Sequence, residues 1–170
     1  MNKKGTFFTV PFRWSGGVTA ITIVYLILIS GAVIYTVSLG GWPSWLVWLK
    51  YLLLITFIAS VVIPLGFMPL SLTADDGYVV VERLFRPLVI PRSEIIECRR
   101  LYRNDLDKSR QSYASGGAFG FLGKFKNPRL GAYTLIATEL DSLVLIRTSY
   151  KCFVFSCSSP AELVEFLQQG

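Results

Sequence analysis

Val18 to Leu39, VTAITIVYLILISGAVIYTVSL, runs for 22 residues without a charge. At about 1.5 Å per residue, a helix over this stretch reaches about 33 Å, enough to cross a hydrocarbon core. Trp45 to Met68, WLVWLKYLLLITFIASVVIPLGFM, follows almost at once and is interrupted only by Lys50. A first run longer than a signal-peptide core, with a second directly behind it, predicts two transmembrane helices rather than a cleaved leader. The connection Leu39-Gly40-Gly41-Trp42-Pro43-Ser44 is so short that the helices are expected to be antiparallel neighbours joined by a tight turn.

Charge gives the hairpin a direction. Lys3, Lys4 and Arg13 precede the first span, many Lys and Arg follow the second, and the connection has none. Because Lys and Arg resist translocation, both termini are expected on the cytoplasmic side of the inner membrane, in a multi-pass arrangement. Trp42, Trp45 and Trp48 then fall near one face as an aromatic belt. Lys50 has two readings, an ion path or an anchor, and its place near a helix start favours an ammonium that snorkels to the interface. Ala32, Thr36 and Gly40, and Thr56 and Ser60, recur every four positions and would let the helices approach closely. Pro64 is expected to kink or end the second span.

All 11 acidic residues lie from Asp75 onward, so composition divides the chain near Pro69. Residues 1–17 read as a cytoplasmic N-terminal segment, 18–68 as the hairpin and 69–170 as one soluble domain large enough for its own core. The net charge of +6 is explained by topology, and no nucleic-acid partner is implied. Cys98, Cys152 and Cys157 form no CxxC, and the chain has no histidine, so they read as small buried hydrophobes. Without histidine, and with no constellation of perturbed carboxylate, lysine or cysteine, no catalytic residue, metal site or cofactor is expected. Asp75-Asp76-Gly77 reads as a hairpin turn rather than an acid pair.

From Leu70 the pattern changes to short runs separated by turn residues, which predicts a meander of about seven strands. They cover Ser71–Ala74, Tyr78–Leu84, Leu88–Ile90, Ile95–Leu101, Ala132–Thr138, Ser142–Thr148 and Lys151–Cys157. Ser159-Pro160-Ala161-Glu162 fits a capping box, and Leu163, Val164, Phe166 and Leu167 give the closing helix an apolar face.

Thr73-Ala74-Asp75-Asp76-Gly77-Tyr78-Val79-Val80-Val81 and Val89-Ile90-Pro91-Arg92-Ser93-Glu94-Ile95 resemble the opening hairpin and third-strand segment of bacterial pleckstrin-homology-like (PH) domains. So does the Gly-rich stretch Ser115 to Phe125 with the Leu130-Gly131-Ala132-Tyr133 that follows. The resemblance covers about residues 69 to 169 and implies a mainly-β barrel plugged by the C-terminal helix. Bacterial members often follow membrane helices. The fold hosts many unrelated roles, so the resemblance by itself names no ligand.

Arg103 to Gly131 reads as a loop too long to be an ordinary connection. Between Arg99 and Arg129 there are eight cations against Asp105 and Asp107. Its glycines match neither a Walker A nor a dinucleotide motif. The candidate binding loop comprises Arg110, Gly116, Gly117, Phe119, Gly120, Phe121, Gly123, Lys124, Phe125 and Lys126. Either its aromatics dip into the membrane interface while its cations meet anionic headgroups, or the phenylalanines fold back over the sheet. Two functional classes follow. One is a membrane-anchored, non-enzymatic binding or regulatory protein that engages a membrane protein, a peptide or an anionic lipid surface. The other is an accessory or pore-forming subunit of a homo-oligomer or transporter.

Overall fold

The computed structural model describes residues 7–168, excepting the side chains of residues 111–116. Lys3 and Lys4, part of the expected charge flank, lie outside the described residues. Helix α1 spans Gly16–Ser38 and α2 spans Val47–Phe67, the latter preceded by a 3-10 turn at Ser44–Leu46. Both are long and apolar enough to cross a membrane. Their apolar residues are exposed almost all round, from Ile21 and Ile27 to Ile55 and Ile63. Helices apolar on every face are at home in hydrocarbon, whereas a soluble core helix would be covered by protein. Pro64 lies inside α2, whose helical run continues past it to Phe67.

The hairpin is tied within itself by side chains. Lys50 donates from Nζ to the carbonyls of Val37 (3.2 Å) and Leu39 (3.4 Å), the unpaired C-terminal end of α1. Tyr25 donates its hydroxyl to Ser60 Oγ of α2 at 2.8 Å. Thr36 and Thr56 hydroxyls return to the carbonyls of Ala32 and Leu52 on their own helices.

The remaining chain forms ten strands rather than the expected seven. Strand β1 (Phe8–Pro11) comes before the hairpin; β2 (Pro69–Ala74), β3 (Tyr78–Arg83), β4 (Leu88–Pro91) and β5 (Ile95–Leu101) follow it. Next are β6 (Arg110–Gly117), β7 (Gly120–Asn127), β8 (Gly131–Ala137), β9 (Leu143–Thr148) and β10 (Cys152–Ser156), closed by α3 (Pro160–Gln168). One sheet has the order β1-β2-β3-β4, the other β5-β9-β10-β8-β7-β6. The second sheet departs from a meander, since β10 lies between β9 and β8 and pairs parallel with β8. Its inner strands are apolar at nearly every position because they are covered on both faces.

Two cores result. One, with Leu72, Val79, Val81, Ile136, Ile146 and Phe155, lies between the sheets and receives Leu163 of α3. The other, with Leu101, Leu135, Leu145 and Val154, lies on the outer side of the second sheet. Arg92 fixes α3: its guanidinium donates to the carbonyls of Phe166 (2.7 Å) and Leu167 (3.2 Å) and lies over the Phe166 ring. At the β2–β3 turn, Asp75 accepts from the backbone N–H groups of Gly77 and Tyr78. Those two bonds, with Arg92 nearby, hold its carboxyl below the usual range.

Because β1 precedes α1 and β2 follows α2, the helical hairpin is inserted between two paired strands. Pro11 stands opposite Ser71, and Phe12 N–H continues the ladder to the Leu70 carbonyl at 3.2 Å. Both roots of the hairpin are therefore held side by side by the domain's own sheet.

Candidate functional site at the junction of hairpin and domain

The segment read as a long loop is, from Arg110 to Asn127, a β-hairpin closed by the two residues Ala118 and Phe119 between Gly117 and Gly120. Its glycines hid the alternation, which survives only in Lys124-Phe125-Lys126-Asn127, exposed and buried by turns. The tip rests on α1. Phe119 N–H donates to Thr22 Oγ1 at 2.9 Å, and the Phe119 ring meets Tyr25 edge-on with centroids 5.9 Å apart. Phe119 is 2% exposed and adopts φ +62°, a left-handed conformation ordinarily left to glycine. Gly117, at φ +119°, leaves Ile21 of α1 in contact distance of where a Cβ would stand. At Gly120 a Cβ would lie 2.8 Å from the Ala137 carbonyl oxygen, so only glycine fits.

A second set of bonds lies at the start of α1. Ser15 caps the helix by accepting from Val18 N–H, and its own N–H donates to the Thr138 carbonyl. The Thr138 hydroxyl donates in turn to the Arg13 carbonyl. On the other helix, Gly66 approaches Phe85 so closely that a Cβ would lie 1.9 Å from the ring, and Phe67 packs edge-on against that same ring.

Between the end of α2 and the face of β7 and β8 is an apolar groove of about 470 Å³. Ile63, Pro64 and Phe67 form one wall, with Leu122, Gly123, Lys124, Thr134 and Ile136 opposite and Arg83 from the end of β3. Arg83 and Lys124 are its charged members, and it contains no carboxylate. The Arg83 Nε is shielded from solvent and has no hydrogen-bond partner among the described residues. Burial pushes the pKa of this guanidinium down.

The structure therefore distributes the residues of the candidate binding loop among several places. Gly117 and Phe119 meet α1 and Gly120 lies against Ala137, with Gly116 beside them in β6 opposite Phe121. Phe121 and Phe125 cover the second core, Phe125 stacked on Tyr133 at 5.8 Å. Gly123 and Lys124 line the groove, whereas Arg110 and Lys126 face each other, exposed, where β6 and β7 pair. Trp45 and Trp48 are exposed and Trp42 half-buried at the far end of the hairpin, where Lys50 also sits. Thr22, Tyr25 and Arg83 were not singled out from the sequence. Thr22 and Tyr25, three residues apart on one helical face, were the available signal.

A mainly-β domain with a C-terminal closing helix, fastened to two long apolar helices, defines a PH-like domain joined to a helical hairpin. The chain belongs to the bacterial PH domain family, which matches residues 70–170. The match begins where the hairpin ends and leaves β1 outside it. Comparison with curated proteins and with solved structures gave no match.

Proposed function

We propose that this protein is a membrane-anchored, non-enzymatic binding module. In this reading the hairpin crosses the inner membrane with both ends cytoplasmic, and the PH domain engages a component of that membrane at the junction groove. The observation that carries it is the Phe119 contact with Thr22 and Tyr25, which fastens the domain to the side of α1. Together with the β1–β2 ladder, it keeps the groove at the level where the apolar helices end.

The absence of any charge in the Leu39–Ser44 turn, against the basic flanks, supports the orientation. A binding role is supported by the inertness of the candidate nucleophiles. Burial pushes the Cys98 thiol up to about 12 and also raises Cys152 and Cys157. The hydroxyl protons of Thr22, Tyr25, Thr36, Thr56 and Ser60 are all donated within the hairpin, and Thr22 also accepts from Phe119. That internal satisfaction favours an anchor over a pore-forming or accessory subunit, which needs polar groups turned to a lumen or a neighbour.

Hydrogen exchange on the full chain tests the reading, in nanodiscs of phosphatidylcholine alone and of phosphatidylcholine with native membrane extract. Protection confined to residues 63–67 and 122–136 when the extract is present is the expected result. Unchanged exchange there would overturn the reading.

A further inference from the structure

The chemistry of the groove narrows what can fill it. Its lining is apolar apart from Thr134 and the two cations, which come from different strands, β3 and β7. Lys124 is exposed and, like Arg83, makes no ion pair with a described carboxylate. Four arginines elsewhere on the domain have carboxylate partners, Arg99 and Arg147 with Glu97, Arg103 with Asp141 and Arg92 with Asp76, so what sets Arg83 apart is a shielded Nε without a partner among the described residues. A shielded Nε–H left without an acceptor among the described residues costs free energy that an anionic oxygen would recover.

The groove also runs into the bare surface of α2, where Ile63 is 54% and Phe67 46% exposed. An apolar chain arriving from the bilayer along α2 enters it without crossing water. A free inorganic anion would satisfy the cations but leave the apolar wall wet. An apolar peptide would cover the wall but leave both cations unpaired.

We infer that the groove holds an anionic phospholipid of the surrounding leaflet, its phosphate between Arg83 and Lys124 and one acyl chain along Ile63, Phe67, Leu122 and Ile136. This deepens the binding-module reading and rests on it. The lipid would act as a wedge between α2 and the β7–β8 face. Its arrival would therefore be felt where the domain joins the hairpin.

The test uses the full chain in phosphatidylcholine nanodiscs with and without phosphatidylglycerol, counting retained lipids by native mass spectrometry. One phosphatidylglycerol should be retained in preference to phosphatidylcholine, and Arg83→Gln or Lys124→Gln should lower that preference by at least about tenfold. Lys124 is an exposed strand residue, so its variant reports on binding even if the Arg83 variant folds poorly. Retention that is equal for the two lipids, or unaffected by Lys124→Gln, overturns the assignment. So does millimolar inorganic phosphate that displaces the lipid and reproduces its hydrogen-exchange protection, which would mark a free-anion site. If native extract protects the groove while phosphatidylglycerol does not, the lipid assignment fails and the binding-module reading stands. A photo-crosslinker at position 124 would then identify a protein occupant.

Discussion

At Phe119 two effects oppose each other. Holding a non-glycine residue in the left-handed region costs about 1–2 kcal/mol. Burying a phenylalanine ring is worth about 1.5–3 kcal/mol, and Phe119 adds a hydrogen bond to Thr22. Burial wins, but not by much, so the order of variants is informative. Phe119→Ala loses the ring and keeps the strain, whereas Phe119→Gly loses the ring and relieves the strain. Phe119→Ala is expected to be less stable than Phe119→Gly by about 1 kcal/mol, and both less stable than the parent, in thermal unfolding of the full chain in micelles. If the alanine variant, which keeps the strain, is as stable as the parent, the ring contributes nothing to docking.

The cysteines set an alkaline limit at the same scale. Burial favours the neutral thiol, so the folded protein keeps protons that the unfolded chain releases near pH 8.5. The unfolded state gains from deprotonation first, and stability should fall as pH rises from about 8.5 toward the Cys98 value of about 12. Asp75 gives the opposite limb: its depressed carboxyl adds stability above the unfolded pKa and loses it as pH falls through the folded one. Unfolding midpoints measured from pH 3 to 10 test both signs. In Cys98→Ser the alkaline decline should be shallower.

Among the elements, those marked by runs of apolar or β-branched residues were legible in sequence, and those built around glycine were not. Both helices of the hairpin and α3 lie within a few residues of their expected bounds. The strands from β2 to β5 and from β8 to β10 were also found, because Val, Ile, Leu and Phe dominate them. Strands β6 and β7 were read as a loop. Gly117 sits against Ile21 of α1 and Gly120 against the Ala137 carbonyl, contacts that sequence alone does not reveal. Strand β1 has only four residues and a partner 60 residues away across the hairpin, so no local pattern distinguishes it. For the junction site, Lys124 was recognisable as one of a dense group of cations, but Arg83 becomes notable only once its burial is known.

Asn127 shows how an element without apolar runs is held. It is 2% exposed, and its amide nitrogen donates to the carbonyls of Asp105 and Asp107 and to Ser109 Oγ. Its oxygen accepts from the backbone N–H groups of Arg129 and Leu130. One side chain thus ties the Arg103–Leu106 turn to the end of β7. Asn127→Ala is expected to cost about 1–2 kcal/mol, since it leaves the buried Leu130 N–H and several partly buried backbone groups without partners. Faster hydrogen exchange at residues 103–109 should accompany it, and exchange as slow as in the parent would show that the turn is held otherwise.

At the scale of the whole molecule, four fastenings join the hairpin and the domain: the β1–β2 ladder, the Ser15–Thr138 bonds, the Phe119 contact on α1, and the packing of Gly66 and Phe67 against Phe85. The last of these borders the groove through Phe67, so disturbing it should alter the angle of α2 to the domain without unfolding either. Gly66→Ala places a methyl where the Phe85 ring now lies. Overpacking of this kind costs about 1–3 kcal/mol when the neighbours cannot yield. The ring of Phe85 is 53% exposed and can swing outward, so the expected cost is at the low end, about 1 kcal/mol. Its main consequence would be a looser junction. Spin labels at positions 48 and 150 should then report a broader distance distribution in Gly66→Ala than in the parent. Gly31→Ala, where a methyl would meet nothing within 4 Å, should leave the distribution unchanged. The double variant Gly66→Ala/Phe85→Ala removes the clash together with the ring on which Phe67 packs, so it should recover the stability lost in Gly66→Ala while the distribution stays broad. A double variant as narrow as the parent would show that the Phe85 ring is no fastening, and that the angle of α2 is set by β1, β2, the Ser15–Thr138 bonds and Phe119.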